Sequence, residues 1–268
     1  MLELQNISIA YGEKEVVRNV SLRAEKGEIV GIVGESGSGK STLIRGIIGL
    51  LDYPGKIIEG KILLNGRNIA PYPAEKMREI RGKEIAMIFQ HADLSLDPLW
   101  TIGKSFYESI SMHKKISKQE AMACAAERLK LLSLKNPEKV LNLYPHQLSG
   151  GMCQRTAIAI AMANDPELLL ADEPTSALDM TVQNQVIENM MSIREQRGTT
   201  ILIVTHNMGV VEKMADKVGV MYRGRLVEWG SKDEVLHDPK HAYTQSLIRA
   251  IPKMDGTLPQ APERCIYE

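Results

Sequence analysis

Apolar and polar positions along this chain follow two alternating rhythms, and their order predicts a succession of strands and helices. Leu2-Glu3-Leu4-Gln5-Asn6-Ile7-Ser8-Ile9 alternates in the manner of a half-buried strand, and residues 21–25 read as a second one. Ile29-Val30-Gly31-Ile32-Val33 is continuously apolar, as a strand buried on both faces would be, and the run from Thr42 to Leu50 has helical apolar spacing. Asn65-Gly66 after the segment 57–64 marks a hairpin turn. A second core strand covers 84–89 and ends at Gln90, after which the texture changes to loops and helices up to about Asn142. One of these helices, 117–133, opens on the capping pattern Ser117-Lys118-Gln119-Glu120. Downstream, a helix over 152–164, a strand over 168–171, a helix over 181–197 and a strand over 200–204 follow in turn. A helix starts at Met208, and strands 218–222 and 225–229 form a hairpin around Arg223-Gly224. Strands alternating with helices predict an α/β fold with a mainly parallel sheet.

Composition narrows the class. With 268 residues and 44% hydrophobic residues, the chain can bury a sizeable core. Lys plus Arg equals Asp plus Glu at 33 each, so bulk charge points neither to nucleic acid nor to an anionic membrane surface. No apolar stretch approaches the ~20 residues of a membrane span, and the start, Met1-Leu2-Glu3-Leu4-Gln5, lacks the regions of a signal peptide. The expectation is a cytoplasmic chain whose membrane attachment comes through a partner. Cys124, Cys153 and Cys265 are few and widely spaced, which fits reduced thiols rather than a metal cluster.

The chemistry begins at Gly34-Glu35-Ser36-Gly37-Ser38-Gly39-Lys40-Ser41, which fits G-x-x-x-x-G-K-[ST] between a predicted strand and a predicted helix. Glycines let successive backbone N–H groups turn inward around phosphate oxygens, and a helix N-terminus adds favourable partial charge. Lys40 suits the β- and γ-phosphates of a nucleotide, and the Ser41 hydroxyl suits magnesium. Leu168-Leu169-Leu170-Ala171-Asp172-Glu173 ends a buried strand in two acids. Such acids also serve as ordinary caps. Beside a phosphate loop, Asp172 suits magnesium through water, and Glu173 suits orienting or deprotonating an attacking water. Ser149-Gly150-Gly151 opens a helix and offers a second anion site, although Ser and Gly are also common helix starts.

In combination, the glycine loop, Leu148-Ser149-Gly150-Gly151-Met152, Asp172-Glu173 and Ser176-Ala177-Leu178-Asp179 resemble the ATP-binding cassette family of transporter ATPases. The motifs lie in family order over residues 1 to about 235. The resemblance implies a P-loop NTPase (RecA-like) core with an N-terminal antiparallel β-subdomain and a helical subdomain inserted at about 91–153. Residues 236–268 form a C-terminal extension. The family's cofactors are ATP and Mg2+. The resemblance implies that Ser149, Gly150 and Gly151 bind the γ-phosphate of ATP held by an opposite subunit, so that catalysis needs a dimer. It implies that Gln90 senses magnesium and couples to membrane subunits, that His206 contacts the γ-phosphate, and that Tyr11 stacks on adenine. Glu35, Ser36, Thr42 and Asp179 complete the implied nucleotide site, with Ser41, Gln90 and Asp172 around the magnesium ion.

Tyr144-Pro145-His146-Gln147 ahead of the second glycine motif, and Pro239-Lys240-His241-Ala242-Tyr243-Thr244, look like the oligopeptide, dipeptide and nickel import branch. Ala242 stands where that branch usually has proline. Many peptide-type members carry a cysteine-bearing tail that holds an iron–sulfur cluster. This chain has only Cys265 there, so no cluster is expected. The implied partners are two transmembrane permease subunits, a second cassette (the same or a related chain) and, indirectly, an extracytoplasmic substrate-binding protein, with no nucleic acid. The implied place is the cytoplasmic face of the membrane. Peptide and nickel or metal-chelate cargo both remain open, as does a soluble assembly such as phosphonate-breakdown machinery. Leu94, Leu96, Leu99, Trp100, Phe106 and Tyr107 fit either packed core or a groove for a membrane subunit. His237 and His241 are spaced like metal ligands, but Asp238-Pro239 between them disfavours one continuous helix.

Overall fold

A computed structural model describes residues 1–176 and 178–250, which divide into two compact units. The first comprises Met1–Pro71 and the chain from Ile203 onward; the second is Tyr72–Leu202. The expectation about Cys265 lies outside the described residues.

In the first unit, β1 (Leu2–Tyr11), β2 (Lys14–Ala24), β4 (Gly55–Leu64) and β5 (Arg67–Asn68) form an antiparallel sheet in the order β2-β1-β4-β5. The predicted alternation of β1 holds only as far as Gln5. Asn6 then takes φ +52, the register shifts between Leu4 and Ile7, and four successive residues, Ile7 to Ala10, are buried. An extra residue at a bulge flips the later side chains to the other face. Polar groups hold it: the Asn6 N–H donates to Ser21 Oγ at 2.8 Å, and the Asn19 N–H to Ser8 Oγ at 3.0 Å. β2 also starts seven residues before the predicted Ser21. Asn65 and Gly66 both have positive φ, as do Arg223 and Gly224, the backbone that a tight two-residue hairpin turn requires.

β3 (Ile29–Val33) runs parallel to β9 (Lys217–Tyr222), pairing Val30 with Lys217 and Val33 with Val220, and β10 (Arg225–Ser231) returns antiparallel to β9. The order in this unit is β10-β9-β3, and β8 covers Thr200–Thr205. α1 (Lys40–Ile47), α9 (Met208–Met214), α10 (Lys232–His237) and α11 (Ala242–Arg249) complete this unit. Val33, Met208, Val211, Ala215, Val218, Val220, Val235 and Tyr243 share one buried cluster.

In the second unit, β6 (Ile85–Ile88) is parallel to β7 (Leu168–Asp172), pairing Ile85 with Leu168, and the strand order is β8-β7-β6. Its helices are α2 (Ala74–Ile80), α3 (Ala92–Ser95), α4 (Ile102–Ser111), α5 (Lys118–Leu131), α6 (Pro137–Val140), α7 (Gly150–Ala161) and α8 (Met180–Arg197), with a 3-10 turn at Pro145–Gln147. α5 has the predicted capping box, both bonds between Ser117 and Glu120 being present. The apolar residues after Gln90 separate into two groups. Leu96 and Phe106 are buried in the core, whereas Leu94 and Leu99 are 78% and 83% exposed. Trp100 lies under the Lys104 ammonium at 3.9 Å.

Candidate functional site

The first group of candidates forms where β3 leaves the core. The chain turns at Gly34 with φ +151, and a Cβ there would lie 2.2 Å from the Met221 carbonyl oxygen. Only glycine fits so close to neighbouring backbone. Gly39, at φ +101, starts α1 under similar crowding, with the Val16 carbonyl oxygen 2.9 Å from a Cβ. Gly37 differs: a Cβ there would meet nothing within 4 Å, so its face of the loop is open. The loop is fastened from below, since the Ser38 N–H bonds to the Glu35 carbonyl (3.2 Å) and the Gly224 N–H to the Ser38 carbonyl (3.0 Å).

Lys40 is 4% exposed. Its ammonium donates to the carbonyl oxygens of Gly34 (2.8 Å) and Glu35 (2.7 Å) and to Ser38 Oγ at 3.4 Å. A buried cation needs such partners. Here the loop's own backbone supplies two of them. Ser41 and Thr42 are half-buried on the first turn of α1, while Glu35 and Ser36 are exposed. Tyr11 closes β1, with its ring edge 2.7 Å from where a Cβ of Gly55 would stand. His206 is exposed just after the fully buried β8, and the following Asn207 caps α9 by accepting from the Gly209 N–H at 2.9 Å.

The second group lies in the other unit. Asp172 is 1% exposed at the end of β7. Glu173 follows with φ +45, a region that a non-glycine residue occupies at a cost of about 1–3 kcal/mol. The turn is secured by the Ser176 N–H and Oγ, which both donate to the Glu173 carbonyl, at 3.1 and 2.9 Å. This backbone aims the carboxylate toward Gln90, whose Nε2 donates to Glu173 Oε2 at 3.1 Å. Two residues 83 positions apart in sequence are thus in direct contact.

Ser149 is the N-cap of α7, its Oγ accepting from the Met152 N–H at 3.3 Å. The two glycines that follow differ in their reason for being glycine. A Cβ on Gly150 would meet nothing within 4 Å, whereas one on Gly151 would lie 2.6 Å from Val182 of α8. Gly150 therefore leaves open space before a helix start, and Gly151 permits close helix packing. Arg155 stitches the region together by donating to the carbonyls of Gly151, Leu132 and Ser133. Asp179 caps α8, one carboxylate oxygen accepting from the Thr181 and Val182 N–H groups at 3.0 Å each.

These donor sets suit a nucleoside triphosphate with magnesium. The loop is open at Gly37 and leads into the start of α1, the setting that phosphate groups take; in the other unit, Asp172 is an oxygen ligand of the kind Mg2+ takes. Elsewhere, burial and then the nearby Asp93 push the Cys153 thiol up to about 11, which keeps it protonated and unreactive. His237 closes α10 and His241 caps α11, so the two are separated by a break in the helix. No helix among the described residues is long and apolar enough to cross a membrane.

Sequence reasoning gave no role to Tyr243, whose hydroxyl reaches the glycine loop. Its position in the His-Ala-Tyr-Thr segment was visible, but no periodicity signals a contact across 208 residues.

Comparison with known proteins supplies the context. Residues 17–176 match the ABC transporter family, and residues 227–264 match the oligopeptide/dipeptide transporter C-terminal region. The chain is 43% identical over 262 residues to the oligopeptide transport ATP-binding protein OppD of Bacillus subtilis, covering 96% of this chain and 73% of that one. It is 40% identical to the dipeptide transport ATP-binding protein DppD of Escherichia coli, covering 94% of this chain and 79% of the relative. Among solved structures, an ATP-binding cassette in a dimeric, post-hydrolysis state with ADP and Pi superimposes with a TM-score of 0.77 at 33% identity. That match covers 87% of this chain and 99% of the other.

Proposed function

This chain belongs to the ATP-binding cassette transporter family as one of its ATPases, and from that premise we propose that it powers a membrane importer of peptides. The observation that carries the catalytic reading is the hydrogen bond from Gln90 to Glu173. It joins the residue assigned to membrane coupling with the residue assigned to water activation. The peptide reading rests on the match of residues 227–264 and on relatives named for oligopeptide and dipeptide transport. Those names favour peptides over nickel or metal chelates, and no observation favours a soluble assembly.

In this reading Gly34–Ser41 and Thr42 cradle the phosphates, and Lys40 exchanges its two carbonyl partners for phosphate oxygens. Tyr11 stacks on the adenine. By the family's pattern, Ser41, Asp172 and Gln90 would hold Mg2+, which would neutralise phosphate charge. Glu173 orients and deprotonates the attacking water, and His206 holds the γ-phosphate. Ser149, Gly150 and Gly151 serve the nucleotide of a second cassette, so two chains enclose two ATP molecules, and Asp179 works at the same junction through the turn that it caps.

Closure of that dimer drives two permease subunits at the cytoplasmic face of the membrane, and a substrate-binding protein outside delivers the peptide. ATP performs work by favouring the closed dimer over the open one. The exposed side chains of Leu94 and Leu99 are apolar groups that the permeases could cover.

Glu173→Gln tests the catalytic core. ATP binding should persist while hydrolysis slows by about 10²–10⁴-fold, and light scattering should show a dimer that forms only with ATP. Normal turnover in that variant would remove Glu173 from its role.

A further inference from the structure

The phosphate loop carries a contact that its own motif does not require. The Glu35 N–H donates to the Tyr243 hydroxyl at 3.0 Å, and Tyr243 belongs to α11, 208 residues further along the chain. Tyr243 is 4% exposed, with its ring 4.1 Å from that of Tyr222 and its body inside the cluster formed by Val33, Val218 and Val220. The side chain is therefore fixed by packing before it meets the loop. Burial pushes its hydroxyl up to about 12, so it stays a neutral phenol at any physiological pH.

What the phenol holds is specific. The N–H of Glu35 and the C=O of Gly34 belong to one planar peptide group. The carbonyl end of that group accepts from Lys40 Nζ at 2.8 Å, and the next carbonyl, of Glu35, accepts from the same ammonium at 2.7 Å. One rigid peptide is thus pinned at its N–H by the C-terminal segment and at its C=O by the lysine assigned to the nucleotide phosphates. Gly34 itself, at φ +151 and crowded by the Met221 carbonyl, has a backbone conformation closed to other residues. Withdrawing the acceptor would leave the Glu35 N–H without the partner that α11 supplies, and would let that peptide rotate away from Lys40.

We propose that Tyr243 is a positioning residue for ATP binding, through which the C-terminal segment holds the Gly34–Glu35 peptide and, by it, Lys40 in the arrangement that receives phosphate. This rests on reading Gly34–Ser41 as the phosphate loop. Without the phenol the loop samples more conformations, and apparent affinity falls by the fraction that remains competent. The C-terminal segment then acts directly on the nucleotide site, beyond any role toward partners.

The test uses the full chain and ATP in Mg2+-free buffer, where nothing turns over. Tyr243→Phe keeps the ring and removes only the oxygen. It should weaken the Kd for ATP about fivefold, the weight of one net hydrogen bond, and should speed hydrogen exchange at the Glu35 amide. With Mg2+ restored, KM for ATP should rise while kcat changes less than twofold. A Kd within twofold of the wild type, alongside a folded variant, overturns the proposal. So does a wild-type Glu35 amide that exchanges as fast as in an unfolded chain, a measurement that needs no variant. Lys40→Ala separates the two readings. If it weakens ATP binding while Tyr243→Phe does not, only the present inference falls; if wild-type binding ignores Lys40, the phosphate-loop reading falls with it.

Discussion

Lys40 and Glu173 illustrate how this chain keeps costly arrangements ready for use. A buried ammonium that donates to two loop carbonyls and a hydroxyl is held there by neutral dipoles, bonds weaker than those an anionic phosphate would accept. Glu173 occupies a left-handed backbone at φ +45, which the bonds from Ser176 to its carbonyl help maintain. Ser149 is a helix cap, and in the proposed function it is also a donor to the nucleotide of a second cassette. Ser149→Arg should therefore abolish turnover, leave the ATP affinity of the lone chain within about twofold, and cost about 1 kcal/mol of stability through the lost cap. Isothermal titration of the monomer decides it: a large loss of affinity there would contradict the shared-site reading. At this scale the motif residues were legible because their chemistry depends on local order: glycine, lysine and serine at fixed offsets. The different duties of Gly150 and Gly151 were not legible, because only the approach of Val182 distinguishes them.

Elements in the chain end where local chemistry tells them to. α5 begins at Ser117 because that hydroxyl accepts from the Glu120 N–H, while Glu120 accepts from the Ser117 N–H and hydroxyl. The Ser117 hydroxyl, then its backbone N–H, hold the Glu120 carboxyl below its ordinary 4.5. A folded pKa below the unfolded one contributes stability that is present above pH 4.5 and is lost as pH falls through the depressed value. Glu120→Gln should remove that part of the acid sensitivity. Acid titrations of both chains, followed by helical circular dichroism, should differ below pH 4.5 and coincide in slope above it. Equal acid midpoints would show that the capping bond contributes nothing to the pH response. The start of this helix was readable in four residues. The bulge at Asn6 was not, because a register shift is set by three strands together: Gly60 stands where a Cβ would meet the Gln5 and Asn6 carbonyl oxygens at 2.5 Å.

For the whole molecule, the importer reading predicts company. Glu173→Gln purified with ATP from detergent-solubilised source cells should bring two multi-span proteins and a second cassette, identified by mass spectrometry. A soluble complex alone would overturn the transport reading and leave the ATP-site assignments standing. By itself the sequence determined the succession of the main strands and helices, the glycine-loop motif, the two acids at the end of β7 and the family to which these point. Each of these is written in neighbouring residues through periodicity, turn chemistry or fixed offsets. Tertiary structure alone decided that β3 pairs with β9 and that the Ile29 N–H reaches Asp216 across 187 residues. It also decided that Gln90 meets Glu173, that Leu94 and Leu99 face outward while Leu96 and Phe106 pack inward, and that Tyr243 holds the loop. The physical reason is the same in each case. Apolar strands of similar composition are interchangeable as local patterns, and the choice among partners is made by burial and hydrogen bonding that exist only once distant segments have closed on one another.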